Sequence, residues 1–151
     1  MKKAPDEYRR NPHSVTLINY HFVFCPKRRK KVLIGKISHR LQEVIFGLCT
    51  ENNWRLIALE IMPDHVHLFL NTDPTFAPSV IIKRIKGKAS HHLRKEFPEL
   101  KKLPTLWTPS YFVATFGEAE SPLALPMSAR SSVRNASTET IKRYIENQTN
   151  K

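Results

Sequence analysis

The stretch that decides the fold is WRLIALEIMPDHVHLFL, residues 54–70. Residues 54–62 are dense in apolar side chains and predict a strand. Pro63 and Asp64 then predict a tight turn, and residues 65–70 predict a second strand, antiparallel to the first. A pair of adjacent strands is therefore expected in the middle of the chain.

Segments with helical periodicity flank this strand pair. Apolar residues recur at spacings of three and four over residues 36–51 and again over 79–96, so each segment predicts an amphipathic helix. Further strands are predicted at 15–25 and 110–116, and a last helix at 137–148. This βαββαβ order predicts an α+β, ferredoxin-like (RRM-like) sandwich with an added C-terminal helix. Because that fold hosts many functions, it indicates none by itself.

The length of 151 residues suits one domain. Residues 1–14 are polar and basic and predict a flexible N-terminal arm, so the domain is expected to span residues 15–151. Residues 118–136 are rich in Ser, Ala and Pro without a clear period, and we interpret them as a loop insertion.

The charge balance indicates a polyanionic partner. Lys and Arg number 25 against 13 Asp and Glu, which gives a net charge of +12. This balance leaves DNA, RNA and an anionic membrane surface open. The N-terminus has no apolar run, no segment is long enough to span a membrane, and the two cysteines have no CxxC spacing. These features favour a cytoplasmic protein with free thiols.

Two basic segments are candidates for phosphate contact. One follows the first predicted strand and the other lies on the second predicted helix. Their candidate DNA-binding residues are Lys27, Arg28, Arg29, Lys30, Lys83, Arg84, Lys86 and Lys88. A solvated charged face is the alternative, but the net charge favours nucleic-acid contact for at least one segment.

The histidines of HVH, His65 and His67, are the sharpest candidates for chemistry. Strand side chains alternate between faces, so both point the same way, with Cα atoms roughly 6.5–7 Å apart. Two imidazoles at that separation can converge on one metal ion. An isolated pair of this kind is more often two surface histidines. Glu60, on the neighbouring strand, could orient a histidine or donate an oxygen, although a solvated residue is the simpler interpretation.

The last predicted helix contains a second candidate. Tyr144 and Gln148 lie four residues apart and therefore share one helix face. Spacing alone favours Tyr144 as an amphipathic residue at the edge of the core. Tyr20 and Tyr111 are rival nucleophiles, but both fall within predicted strands and are more easily explained by packing.

Four segments taken together carry a resemblance to a known family. MPDHVHLFL, the basic helix IKRIKGKASHHLRKEFP, LWTPSYFVATFG and IKRYIENQ occur in this order. The chain resembles the single-tyrosine HUH transposases of small insertion sequences, including the REP-associated relatives, from about residue 19 to residue 148. Either short motif alone is weak, whereas the ordered set is specific.

The resemblance implies a fold and a complete site. Tyr144 would be the nucleophile, and His65, His67 and Gln148 would bind Mg²⁺ or Mn²⁺. The partner would be single-stranded DNA with hairpins, cut through a 5′-phosphotyrosine intermediate. A homodimer is implied, in which the tyrosine helix of one subunit can complete the histidine site of the other. Residues 118–136 depart from the short linker usual in the family, which bears on where that helix docks.

Three functions remain open from the sequence. The first is a DNA transposase that cleaves and rejoins element ends. The second is a domesticated REP-associated tyrosine transposase that cuts palindromic repeats. The third is a non-catalytic nucleic-acid-binding module on the same fold, against which the coincidence of HVH with YxxxQ argues.

Overall fold

A computed structural model describes residues 8–117 and 138–151. Its helices and strands are, in chain order, β1 (Arg9–Asn11), β2 (Ser14–Thr16), β3 (Ile18–Phe24), α1 (Gly35–Glu51), β4 (Arg55–Met62), β5 (His65–Thr72), α2 (Pro78–Glu96), β6 (Phe112–Thr115) and α3 (Thr138–Asn147). Short 3₁₀ turns lie at Lys27–Arg29 and Pro98–Lys102.

The main sheet has four strands in the order β4-β5-β3-β6, all antiparallel to their neighbours. The predicted central strand pair is β4 and β5, in which Met62 lies opposite His65 and Glu60 opposite His67. With α1 and α2 on one face, the strand order confirms the ferredoxin-like prediction.

The principal core lies between that face and the two helices. Each helix contributes one apolar stripe, and the strands contribute alternate residues. Buried members are Phe22, Phe24, Ile37, Leu41, Ile45, Val66, Leu68, Leu70, Ile81, Ile85, Ala89 and Leu93. Burial of each large side chain contributes about 1.5–3 kcal/mol. Because strand side chains alternate, the residues between these positions point to the opposite face.

Helix α3 packs on that opposite face. Ile141 and Ile145 are buried against Val23 of β3 and against Cys25, the residue after that strand, with Phe112 and Tyr144 packed beside them. The helix added to the ferredoxin-like core therefore lies on the same side of the sheet as His65 and His67.

The N-terminal prediction differs from the structure. Residues 9–11 and 14–16 pair as a small antiparallel hairpin rather than belonging to a flexible arm. The Arg9 guanidinium donates to Asn71 Oδ1 at 2.6 Å and so ties the hairpin to the main sheet. The predicted strand at 15–25 is accordingly divided between β2 and β3. Residues 1–7 and the expected insertion at 118–136 lie outside the described residues.

Both cysteines, Cys25 and Cys49, are free, as expected from the sequence, and both are buried. Within residues 8–117 and 138–151, no helix is long and apolar enough to cross a membrane.

Candidate active site

His65 and His67 open strand β5 and lie on one face of it. Their rings are nearly perpendicular, at 84°, with centroids 5.0 Å apart. Val66, between them, is fully buried in the helix-covered core. The predicted alternation is therefore confirmed: the two imidazoles share the face opposite α1 and α2.

His65 is held by the residue before it. Its Nδ1 lies 2.8 Å from Asp64 Oδ1, while Arg29 donates to Asp64 Oδ2 from Nη2 at 2.8 Å and from Nε at 3.0 Å. Burial alone would raise the pKa of Asp64, but the hydrogen bonds from Arg29 and His65 outweigh it and lower that pKa. The carboxylate thus stays charged and fixes both partners.

The backbone at this contact is unusual. Arg28 and Arg29 have φ values of 55° and 52°, in the left-handed region that residues with a Cβ rarely adopt. The ion pair with Asp64 helps to hold Arg29 in that conformation.

His67 is held by a second histidine. Its Nδ1 lies 3.1 Å from Nε2 of His21, a residue of β3. Burial, together with the neighbouring His21 and His65, lowers the pKa of His67 to about 3. The His67 ring is therefore neutral at physiological pH and retains a nitrogen lone pair, which metal binding requires.

His65 and His67 fit a divalent ion chemically. The Nδ1 of each ring contacts a neighbouring side chain, and the Nε2 of each ring remains to bind the ion. Glu60, opposite His67, has one carboxylate oxygen buried without a hydrogen-bond partner, and burial raises its pKa. That oxygen is not solvated, contrary to the simpler interpretation of the sequence. Even so, in the part of the chain that is described, no cluster of three or more His, Cys, Asp or Glu could hold a metal.

Tyr144 and Gln148 meet at Ser110. The Ser110 hydroxyl lies 3.1 Å from the Tyr144 oxygen and donates to Gln148 Oε1 at 3.0 Å. Because a serine hydroxyl has one proton, Tyr144 is then the donor to Ser110. Gln148 is 2% exposed and also donates from Nε2 to the Tyr144 carbonyl at 3.2 Å. Burial raises the pKa of Tyr144, so its phenol is protonated at neutral pH.

Two chains of contacts connect α3 to the histidines. In one, the Phe112 ring lies 6.0 Å from the Tyr144 ring and 6.3 Å from that of His21. In the other, Arg29 Nη1 donates to Thr149 Oγ1 at 3.4 Å, just after α3. Among the described residues, no hydrogen bond joins Tyr144 or Gln148 directly to either histidine. The structure thus brings both candidate pairs to one face of the sheet.

Lys86 supports the Ser110 segment from the other side of the sheet. Its Nζ donates to the carbonyls of Thr108 at 2.7 Å and Ser110 at 3.1 Å. Burial lowers the pKa of Lys86 to about 8. Although the sequence placed Lys86 among the DNA-binding candidates, its ammonium is directed into the protein.

The other basic candidates differ in exposure. Lys30, Lys83 and Lys88 are exposed, as are Arg28 and Arg84. Lys27 is half-buried, and Arg29 is engaged with Asp64. The Arg84 guanidinium contacts Asn52 and lies over the Phe76 ring, 5.2 Å from its centroid. A basic surface therefore remains on α2.

Sequence reasoning missed three residues of this site, His21, Asp64 and Ser110, and it assigned Arg29 to DNA rather than to Asp64. Asp64 could have been found, because a carboxylate directly before a candidate ligand histidine can orient it. The roles of His21 and Ser110 depend on strand register and on the docking of α3, which have no local signature.

The chain belongs to the IS200-like transposase family. The family model described as "Transposase IS200 like" matches residues 14–124. The chain is 32% identical over 117 residues to the ISDra2 transposase TnpA of Deinococcus radiodurans, covering 76% of this chain and 84% of that protein. It is 31% identical over 102 residues to the transposase for insertion sequence element IS200 of Salmonella typhimurium, covering 66% of this chain and 67% of that one.

Solved structures are similar to this fold. A crystal structure of a Deinococcus radiodurans R1 protein, described as a transposase, matches with a TM-score of 0.74 and 30% identity over 93% of this chain and 97% of that one. A REP-associated tyrosine transposase, solved with a REP hairpin, matches with a TM-score of 0.54 and 15% identity over 95% of this chain and 74% of that one. The second likeness shows the fold alone.

Proposed function

We propose that this family member cleaves and rejoins single-stranded DNA through a covalent 5′-phosphotyrosine formed on Tyr144. The observation that carries the proposal is the placement of α3, which brings Tyr144 to the sheet face that displays His65 and His67. Family membership accounts for DNA cleavage and strand transfer. The site supplies candidates for the nucleophile and the metal ligands.

His65 and His67 would hold a Mg²⁺ or Mn²⁺ ion, with Gln148 as the third ligand. Two imidazole nitrogens and an amide oxygen suit such an ion with further positions open. Gln148 Oε1 already accepts from Ser110, but a carbonyl oxygen has a second lone pair. When bound, the ion would polarise the scissile phosphate and neutralise developing charge.

Tyr144 then forms the covalent bond. Its phenol releases its proton to solvent water, and the oxygen bonds to phosphorus as the bond from phosphorus to the 3′ oxygen breaks. The 3′ oxygen takes up a proton and leaves as a free hydroxyl. The phosphotyrosine conserves the bond energy, so the strand can be rejoined to another 3′ hydroxyl without ATP. The hydrogen bond to Ser110 orients the phenol before attack.

The DNA would follow exposed cations. Lys83, Arg84 and Lys88 lie exposed on α2, and Arg28 and Lys30 are exposed after β3. Their contacts would be to phosphates and sensitive to salt. The REP-associated transposase of the same fold is bound to a REP hairpin, which supports a hairpin as the first substrate to try.

A homodimer remains part of the proposal. In the structure α3 packs on the sheet of its own chain. In a dimer, Tyr144 could serve the histidines of its own subunit or those of the partner. Mixing Tyr144→Phe and His67→Ala subunits distinguishes these arrangements, because the mixture recovers an adduct only if each site combines residues of both subunits.

The test is adduct formation with a hairpin-bearing single strand from the DNA that flanks the coding region. The strand is labelled at its 3′ end, because a 5′-phosphotyrosine retains the downstream fragment. We expect a protease-sensitive labelled complex in Mn²⁺ and none in EDTA. Tyr144→Phe and His67→Ala should lose the complex while binding DNA, whereas the rival-tyrosine control Tyr20→Phe should keep it.

Two results would overturn the proposal. An adduct formed by Tyr144→Phe would remove the nucleophile assignment. Hairpin binding that is unaffected by EDTA, with no adduct from the wild-type protein under any divalent ion, would favour the non-catalytic binding module.

A further inference from the structure

His21 occupies a position that neither the tyrosine nor the proposed ligand set explains. It is 1% exposed, although histidine is less often fully buried than the apolar residues. Strand register places it opposite Phe69 and Ala114, one diagonal step from His67. It therefore lies on the site face of the sheet, in contact with a proposed metal ligand.

The His21 ring is fixed by aromatic neighbours. It stacks on Phe69 with centroids 4.0 Å apart and planes inclined by 11°, and it meets Phe112 edge-on at 6.3 Å. Such contacts leave the ring little freedom to rotate. Its Nε2 is consequently held at one place, 3.1 Å from Nδ1 of His67.

That contact determines which nitrogen of His67 can bind an ion. Of the two facing nitrogens, one must carry the shared proton. If His21 donates, the proton of neutral His67 lies on Nε2, which then cannot be a ligand. If His67 donates from Nδ1, its Nε2 carries the lone pair and faces away from His21. Only the second arrangement is compatible with metal binding.

We infer that His21 is a positioning residue that accepts the Nδ1–H of His67 and thereby fixes the Nε2 lone pair of His67 for the metal ion. The inference rests on the proposed function, in which His67 is a ligand. In this role His21 acts through its contact with His67. It does for His67 what Asp64 does for His65, with an imidazole nitrogen in place of a carboxylate oxygen.

Two substitutions distinguish this positioning role of His21 from a purely structural role of its ring. His21→Phe keeps a flat ring for stacking on Phe69 but removes the acceptor. His21→Gln loses the ring but can place an amide oxygen close to the position of Nε2. Packing alone would favour Phe over Gln, whereas positioning of His67 favours Gln over Phe.

The experiment measures Mn²⁺ affinity of the metal-free protein by calorimetry and by electron paramagnetic resonance, without DNA turnover. We expect His21→Phe to weaken Mn²⁺ binding on the order of 10–100-fold, with little change in thermal midpoint, and His21→Gln to recover most of that loss. His39→Gln, at an exposed position of α1, is the matched control and should bind as wild type does. Unchanged affinity in His21→Phe, or affinity in His21→Gln no better than in His21→Phe, would overturn the inference.

A second measurement needs no substitution. With ¹⁵N-labelled histidine in the wild-type protein and Mg²⁺ present, the nitrogen chemical shifts of His67 should report a proton on Nδ1. A proton on Nε2 would contradict the inference. His65→Ala and His67→Ala make the two failures distinguishable. If both alanine variants still bind Mn²⁺ normally, the assignment of the metal site is wrong. If both lose Mn²⁺ binding while His21→Phe keeps it, only the role assigned to His21 is wrong.

Discussion

Asp64 serves two partners at once, because one carboxylate oxygen faces His65 and the other binds Arg29. Through Arg29 it also reaches Thr149, at the end of the tyrosine helix. One side chain before β5 therefore links a proposed metal ligand to the segment that carries the nucleophile.

This arrangement predicts a pH-dependent stability. The pKa of Asp64 in the folded protein lies below its ordinary value of 3.8. Its contribution to stability is therefore fully present above about pH 5 and is lost as the pH falls through the folded-state pKa. Asp64→Asn should lower the free energy of unfolding by a constant amount above that pH, and the difference from wild type should shrink in acid.

Urea denaturation between about pH 2 and pH 7 measures this difference, within the range over which a paired carboxylate titrates. The exposed Glu99→Gln is the control and should show no such profile. A difference for Asp64→Asn that grows toward acid pH would show that the ion pair does not stabilise the fold.

At the scale of elements, local patterns were sufficient to predict every main helix and strand of the described fold. Apolar spacing located α1 and α2 to within a residue at each end, because their buried stripes repeat with the helical period. The alternation in HVH likewise predicted the shared face of His65 and His67.

What could not be predicted depends on contacts distant in sequence. The His21–His67 contact joins residues 46 positions apart and follows from the register between β3 and β5. The docking of α3 likewise brings Tyr144 and Gln148 to Ser110, which lies just before β6 and forms hydrogen bonds with both. The N-terminal hairpin was missed for a similar reason, since Arg9 finds its partner on Asn71.

Helix α2 carries two kinds of cation, and we expect their substitution to affect the salt dependence of DNA binding differently. Lys83, Arg84 and Lys88 are exposed, whereas the Lys86 ammonium is bound to the carbonyls of Thr108 and Ser110. Replacing the three exposed cations by Met should reduce the magnitude of the negative slope of log affinity against log salt concentration by about 2 on single-stranded DNA. Lys86→Met should leave the slope unchanged.

Fluorescence anisotropy over a salt series checks this contrast. An unchanged slope for the triple variant would place the DNA path on another surface of the protein. A reduced slope for Lys86→Met would show that its ammonium contacts phosphate rather than only the two carbonyls.

The whole molecule combines an apolar core with a strongly basic surface. The main core forms between the sheet and the helices α1 and α2, and it includes no proposed metal ligand. Folding should therefore be independent of the ion, unlike that of small domains in which metal binding supplies the folding free energy.

EDTA treatment tests this independence. We expect EDTA to abolish adduct formation while circular dichroism shows an unchanged spectrum and a thermal midpoint shifted by only a few degrees, which corresponds to about 1 kcal/mol or less. Loss of helical signal in EDTA would instead show that the metal is structural.

The most direct measurement for the central claim is the identity of the residue that carries the DNA. Trypsin cleavage after Arg143 releases residues 144–151, a peptide with a single tyrosine. Mass spectrometry of the digested, nuclease-trimmed adduct should find nucleotide mass on Tyr144 of that peptide. Nucleotide mass on Tyr20 or Tyr111, with residues 144–151 unmodified, would contradict the account.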